Sequence, residues 1–156
     1  MSVWTVVVAA GRGERFGGDK QVADLGGRPV VAHSVSAAAQ ASDGVVVVVA
    51  ANKRTEALIL LEGLDGVAAV VNGGATRSAS VRSGLAAVPH DAEIVLIHDG
   101  ARPLASAALF ARVVAAVRAG ADAVVPGVPV ADSLRATDGS VVDRGGLIAV
   151  QTPQGF

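Results

Sequence analysis

Val3-Trp4-Thr5-Val6-Val7-Val8-Ala9-Ala10-Gly11-Arg12-Gly13-Glu14-Arg15-Phe16-Gly17-Gly18-Asp19-Lys20-Gln21 joins an apolar run to a glycine-rich loop. Val3 to Val8 reads as a buried β-strand. Gly11, Gly13, Gly17 and Gly18 let the backbone that follows turn tightly and bring its N–H groups close to a ligand. Arg15 and Lys20 lie in the same loop, so the strand empties into a segment suited to a polyphosphate. Two common phosphate loops do not match. The dinucleotide fingerprint needs glycine where Phe16 stands, and an acidic residue at the end of the second strand, where the chain has Ala50-Ala51-Asn52. A Walker loop needs Gly-Lys-Ser/Thr, whereas Lys20 stands between Asp19 and Gln21. The plain alternative is a solvated surface turn.

Outward from this junction the strand-and-helix rhythm repeats. Pro29 to Ala41 reads as a helix, Val45 to Val49 as a second strand and Lys53 to Leu61 as a short helix. Val67 to Val71 reads as a third strand ending at Asn72-Gly73-Gly74, and Thr76 to Leu85 as the next helix. Glu93 to Ile97 is a fourth strand leading into His98-Asp99-Gly100-Ala101-Arg102-Pro103. Leu109-Phe110, Val113-Val114 and Val117 form a helical stripe within Ser106 to Arg118. Ala123 to Val130 is expected as a fifth strand, interrupted by Pro126 and Pro129. Val130 to Ala136 and Ser140 to Asp143 flank Thr137-Asp138-Gly139, a hairpin signal, and Leu147 to Val150 leads back to Gln151. Such alternation implies an α/β fold: a three-layer, doubly wound, mainly parallel sheet with right-handed crossovers. Ligands then sit beyond the carboxyl ends of the strands, which gathers the first loop, Gly73-Gly74 and Asp99 on one rim. One domain, residues 1–156, is expected, with the hairpin as an arm over residues 130–147.

Bulk properties narrow the class. The 156 residues suffice for a real core. A formal net charge of −1 and a pI of about 6.3 give no footprint of nucleic-acid binding. The absence of cysteine excludes disulfides, thiolate metal sites and a cysteine nucleophile, and fits the cytoplasm. A composition 51% hydrophobic but only 3% aromatic requires a core of Val, Ala, Leu and Ile, as in parallel strands buried on both faces. Val45 to Ala51, the longest strictly apolar run, is too short to cross a bilayer. No charged stretch precedes the first apolar run, so a secretory signal is not expected.

Together these segments resemble the 2-C-methyl-D-erythritol 4-phosphate cytidylyltransferases of isoprenoid precursor synthesis, from Val6 to Phe156. Ala9-Ala10-Gly11-x-Gly13-x-Arg15 with Lys20-Gln21 is similar to the family's nucleotide loop. Gly73-Gly74-x-x-Arg77-x-x-Ser80-Val81 is similar to its base-reading segment. His98-Asp99-x-Ala101-Arg102-Pro103 and Gln151-Thr152-Pro153-Gln154 are the more specific pair, and they stand in the right order. The resemblance implies a Rossmann-like nucleotidyltransferase that joins CTP to a polyol phosphate and releases pyrophosphate. The substrate's own phosphate would be the nucleophile, so the site must align two anions and stabilise a five-coordinate phosphorus.

The residue roles follow from this resemblance and from side-chain chemistry. Lys20 and Arg15 would be catalytic, the first a point charge on the α-phosphate and the second a fork for two phosphate oxygens. Ala9, Ala10, Gly11, Gly13, Gly73, Gly74, Ala75 and Ser80 would bind the nucleotide, with Ser80 equally suited to cap a helix. Arg77 would brace that loop. Asp99, at a strand end, suits a Mg²⁺ ion bridging phosphates, or else a turn or helix cap. Asp99, Arg102, Ser133, Arg144 and Thr152 would hold the polyol phosphate. The family's arm reaches across a two-fold interface, which implies a homodimer whose arms complete each other's sites. His98 alternates away from the rim and is expected in packing; His33 and His90 have no partner that the sequence reveals.

The chain departs from the family pattern at several places. Asp19 stands where a proline normally precedes the lysine, Ser133 replaces a threonine, and Gly100 replaces an alanine. Gly17-Gly18-Asp19-Lys20 resembles the loop of molybdenum cofactor guanylyltransferases, which keeps GTP as a rival nucleotide. The family's later helices, with a second acidic metal ligand and a substrate-side lysine, have no counterpart in this sequence. The rival expectations are therefore a ribitol 5-phosphate cytidylyltransferase and a CTP-binding module with weak turnover.

Overall fold

The computed structural model describes residues 1–11 and 19–156. Its elements run β1 (Val3–Ala9), β2 (Asp24–Leu25), β3 (Arg28–Pro29), α1 (Val30–Ala39), β4 (Gly44–Val49), α2 (Arg54–Leu60), β5 (Val67–Asn72), α3 (Arg77–Leu85), β6 (Ile94–Asp99) and α4 (Ala107–Arg118). The remainder is strand and turn: β7 (Gly127–Pro129), β8 (Leu134–Arg135), β9 (Val141–Val142), β10 (Ile148–Val150) and β11 (Gln154–Gly155).

Five strands form the central sheet in the order β11-β6-β1-β4-β5. The pairs β6–β1, β1–β4 and β4–β5 are parallel, and β11 is antiparallel to β6. Strand alternation divides the core between two faces. Val3, Val7, Ala9, Val45, Val47 and Val49 pack with residues of α1, α2 and α4, including Val35, Ala57 and Phe110. Val6, Val46, Val48 and Ile97 pack on the other face with Val81 of α3 and with Val88. Valine runs buried on both faces are what a parallel sheet between helices requires, and the three layers match the expected α/β class. The chain adds β4 and β5 on one side of β1, then crosses back to place β6 on the other. Strand order thus reverses beside β1, where open α/β sheets form a crevice.

Two local expectations need correction. Ala123 to Val130 is not a fifth strand of this sheet. Gly127–Pro129 pairs antiparallel with Ile148–Val150 in a separate ladder, and Val124 makes a single antiparallel bridge to Gly155. Pro126 and Pro129 have no N–H to give a ladder, so an apolar run with strand propensity cannot enter the sheet interior. Gln154–Gly155 takes the edge instead, with Gly155 packed closely against Leu96, Val113 and Val117. The second correction is the β2–β3 hairpin, which the sequence reading passed over. Gly26 and Gly27 stand at φ +64° and +84°, the pair of positive φ values that a two-residue type I′ turn demands. The arm's hairpin does form, β8 against β9 with Gly139 at φ +87° in its turn. No helix among the described residues is long and apolar enough to cross a membrane.

Candidate active site

The carboxyl ends of β1, β4, β5 and β6 open into one cleft of about 1570 Å³. Its lining contains Ala10, Gly11 and Lys20 from the first loop, Gly73, Gly74, Ala75, Arg77 and Ser80 from the β5–α3 turn, and Asp99 and Arg102 after β6. The single rim expected from the topology is therefore present. Ala9 lies just behind it, in the wall of a smaller cavity of about 210 Å³ between β1, β4 and α2. Gly13 and Arg15 lie outside the described residues.

The β5–α3 turn is held by close contacts. A Cβ on Gly73 would stand 2.5 Å from Ala10 Cβ and 2.8 Å from Ser80 Oγ, so only glycine lets the two walls meet. Ser80, 2% exposed, accepts at Oγ from the Gly74 N–H at 3.1 Å. It does not cap the helix. Thr76 does, its hydroxyl accepting from Ala79 N–H at 3.1 Å. That leaves Ser80 inside α3, facing the turn it was expected to serve.

Two guanidinium groups meet one carboxylate in this cleft. Arg77 donates from Nε (3.1 Å) and Nη2 (2.9 Å) to Oδ1 of Asp99. Arg102 donates from Nε to Oδ2 at 3.2 Å and from Nη1 to the side-chain oxygen of Gln151. Arg77 thus braces Asp99 across the cleft rather than its own loop. Asp99 is an ion-pair acceptor with both oxygens engaged, and two guanidiniums flank the place where a dication would sit. Among the described residues the surroundings of Asp99 do not build a divalent-cation site. Among the described residues no three His, Cys, Asp or Glu side chains gather to hold one either.

Beneath Asp99 runs a buried chain of hydrogen bonds. Its backbone N–H donates to Thr152 Oγ1 at 3.2 Å, and that hydroxyl lies 3.0 Å from Nδ1 of His98. Nε2 of the same ring is buried without a hydrogen-bond partner among the described residues. The ring is fully buried, edge-on to Phe110 at 4.8 Å between centroids. Burial pushes His98 down to about 4, against the pull of the Asp99 charge. His98 is in packing, as expected. Thr152, 4% exposed, is committed to this chain and is not part of the cleft lining.

The arm stands apart. Ser133 and Arg144 are both exposed, neither lines the cleft, and Arg144 donates to the carbonyl of Ala131. Ala51, Asn52 and Ala101 line the cleft without having been singled out. The strand-end rule that found Gly73 applies equally to the residues after β4, which the sequence reading tested only for an acid.

The profile of the family described as IspD, 2-C-methyl-D-erythritol 4-phosphate cytidylyltransferase, matches residues 3–156. The chain is 44% identical over 173 residues to the "Bifunctional enzyme IspD/IspF" of Solidesulfovibrio magneticus, covering 100% of this chain and 43% of that protein. It is 46% identical over 165 residues to the 2-C-methyl-D-erythritol 4-phosphate cytidylyltransferase of Cereibacter sphaeroides strain KD131, covering 100% and 73%. Its fold matches the crystal structure of 4-diphosphocytidyl-2C-methyl-D-erythritol synthase from Anaerococcus prevotii with a TM-score of 0.85 at 28% identity, covering 99% and 70%. The chain spans less than half the length of the bifunctional relative.

Proposed function

The chain belongs to the 2-C-methyl-D-erythritol 4-phosphate cytidylyltransferase family, and we propose that it transfers CMP from CTP to 2-C-methyl-D-erythritol 4-phosphate. The observation that carries this reading is the cleft itself, where a glycine-walled, Ser80-braced turn meets Lys20, Arg77 and Arg102. A phosphate oxygen of the polyol attacks the α-phosphorus of CTP, the bond to the bridging oxygen breaks, and pyrophosphate leaves. No protein nucleophile is needed, because the attacking phosphate is already ionised. The protein's task is to align the two anions and to offer fixed positive charge to the transition state.

In this reading Lys20 and Arg15 hold the reacting phosphates. Backbone groups of Ala9, Ala10, Gly11, Gly13, Gly73, Gly74 and Ala75 enclose the nucleotide, with Ser80 shaping the base-reading turn. Arg102 takes the polyol phosphate, and Asp99 orients Arg77 and Arg102 while Thr152 fixes Asp99 from below. Mg²⁺ would supply charge neutralisation to the triphosphate, and Asp99, engaged by Arg77 and Arg102, is not free to hold it. The arm serves a second copy of the chain, where Ser133 and Arg144 reach the neighbour's polyol phosphate. Exposed Val128, Val141, Ile148 and Val150 on and beside the arm support such a homodimer. A cytoplasmic setting suits a chain without cysteine.

Pyrophosphate release from CTP tests the reading. Release that depends on 2-C-methyl-D-erythritol 4-phosphate and exceeds that with ribitol 5-phosphate is expected. Equal or greater release with ribitol 5-phosphate contradicts the substrate, and CTP binding without release on either contradicts turnover.

A further inference from the structure

Asp19 places a carboxylate next to Lys20, at the edge of a cleft that otherwise favours anions. A bare negative charge there would oppose a polyphosphate. The structure shows two things that this carboxylate does instead. Its Oδ1 accepts from the backbone N–H of Gln21 at 3.1 Å, closing a turn around Lys20. Its Oδ2 lies 3.7 Å from Nζ of Lys53, in the connection between β4 and α2.

The turn is anchored on its far side as well. The Gln21 carbonyl accepts from Val31 N–H and the Ala23 carbonyl from Val30 N–H, both at 3.0 Å, so the exit of the loop is tied to the first turn of α1. Lys20 therefore sits between two backbone restraints, one from Asp19 and one from a helix in the core. Lys53 is held in turn by Glu56 at 2.8 Å. Glu56 foremost, and Asp19 less strongly, raise the pKa of Lys53 above its ordinary value, so it stays charged through the neutral range. Position separates the two lysines. Lys20 lines the large cleft, whereas Asp19, Lys53 and Glu56 line the smaller cavity behind it.

We propose that Asp19 is a positioning residue for Lys20, fixing the loop's exit through Gln21, and that Lys53 is the counter-charge that keeps Asp19 from opposing the nucleotide's phosphates. This rests on the reading that Lys20 faces those phosphates. An exposed ion pair contributes little to stability. Its consequence is local: with Lys53 gone, Asp19 stands unpaired within a Debye length of a ligand carrying several negative charges.

The test is a four-member cycle of wild type, Lys53→Gln, Asp19→Asn and the double variant, with the CTP dissociation constant measured by calorimetry at low and high salt. Lys53→Gln is expected to weaken CTP binding about tenfold at low ionic strength and much less at high salt. Asp19→Asn keeps the acceptor for Gln21 and is expected to bind like wild type. The double variant is expected to recover what Lys53→Gln loses, a rescue that a merely structural Lys53 would not show. Asp19→Ala removes the turn as well, and faster hydrogen exchange at the Gln21 amide is expected in it alone. Unchanged CTP affinity in Lys53→Gln, a double variant no better than that single one, or unchanged Gln21 exchange in Asp19→Ala overturns the proposal. Failure of the wild type to bind CTP would instead strike the functional reading, and the exchange measurement would still judge the turn.

Discussion

Lys20 and His98 show how differently two basic side chains near one cleft are used. Lys20 is exposed in the cleft, one of two lysines in the chain, and its proposed work is done in the transition state. Replacing Lys20 with alanine is expected to raise the barrier by about 2.7–4 kcal/mol, as for loss of one preorganised oxyanion donor, with the melting temperature unchanged. A rate on that variant near wild type would remove Lys20 from the mechanism. His98 works by staying neutral. Its folded pKa of about 4 lies below the ordinary 6.5, so the unfolded chain binds the extra proton first. The stabilisation is complete above pH 6.5 and is lost as pH falls toward 4, amounting to about 3 kcal/mol. Denaturant unfolding across that range should show this slope in wild type and lose it in His98→Asn, which keeps a hydrogen-bonding group for Thr152. An equal slope in both would assign the pH dependence to other groups.

Helix α3 is the element on which the cleft geometry depends. It lies on β1 and β4 so closely that a Cβ on Gly84 would stand 2.3 Å from Val6 Cγ1 and 2.8 Å from Val48 Cγ2. Gly84→Ala is expected to destabilise the fold by about 1–3 kcal/mol through overpacking, seen as a lower midpoint in thermal unfolding. A midpoint equal to wild type would mean that α3 can lift off the sheet freely. Its first turn carries both the Thr76 cap and the Ser80–Gly74 bond, so this wall of the cleft and the packing are set by one helix. Much of this was legible. Strand-end glycines, a polar first turn and the residues after β6 all mark a ligand rim by topology alone. What the sequence did not reveal was pairing: Arg77 reaches Asp99 across twenty-two positions of chain, and no local pattern encodes which acid a surface arginine meets.

Across the whole molecule, the sheet order and the two core faces follow from valine runs that alternate between helices. The misread part is the C-terminal quarter. Ala123 to Val130 has the composition of a strand, yet its prolines limit it to a side ladder and one bridge from Val124 to Gly155. The true edge strand, Gln154–Gly155, has two residues and no apolar signature, because it is specified by the shape of Leu96 and α4 beneath it. The arm was legible from its turn, whereas Ser133 and Arg144, the residues proposed to meet a neighbour, are simply exposed. Sedimentation of the chain is expected to give a dimer that dissociates when Ile148 and Val150 are replaced by aspartate. A monomer in wild type would leave Ser133 and Arg144 without a site to serve.

The central claim is that the cleft after β1, β5 and β6 accepts a cytidine triphosphate. Calorimetric titration of this chain with CTP, UTP and GTP in Mg²⁺ addresses it most directly. A base site built on hydrogen bonds should prefer CTP by at least about tenfold over either rival. A preference for GTP would contradict the account, and would mean that Gly18-Asp19-Lys20, rather than the Gly73 turn, reports the base.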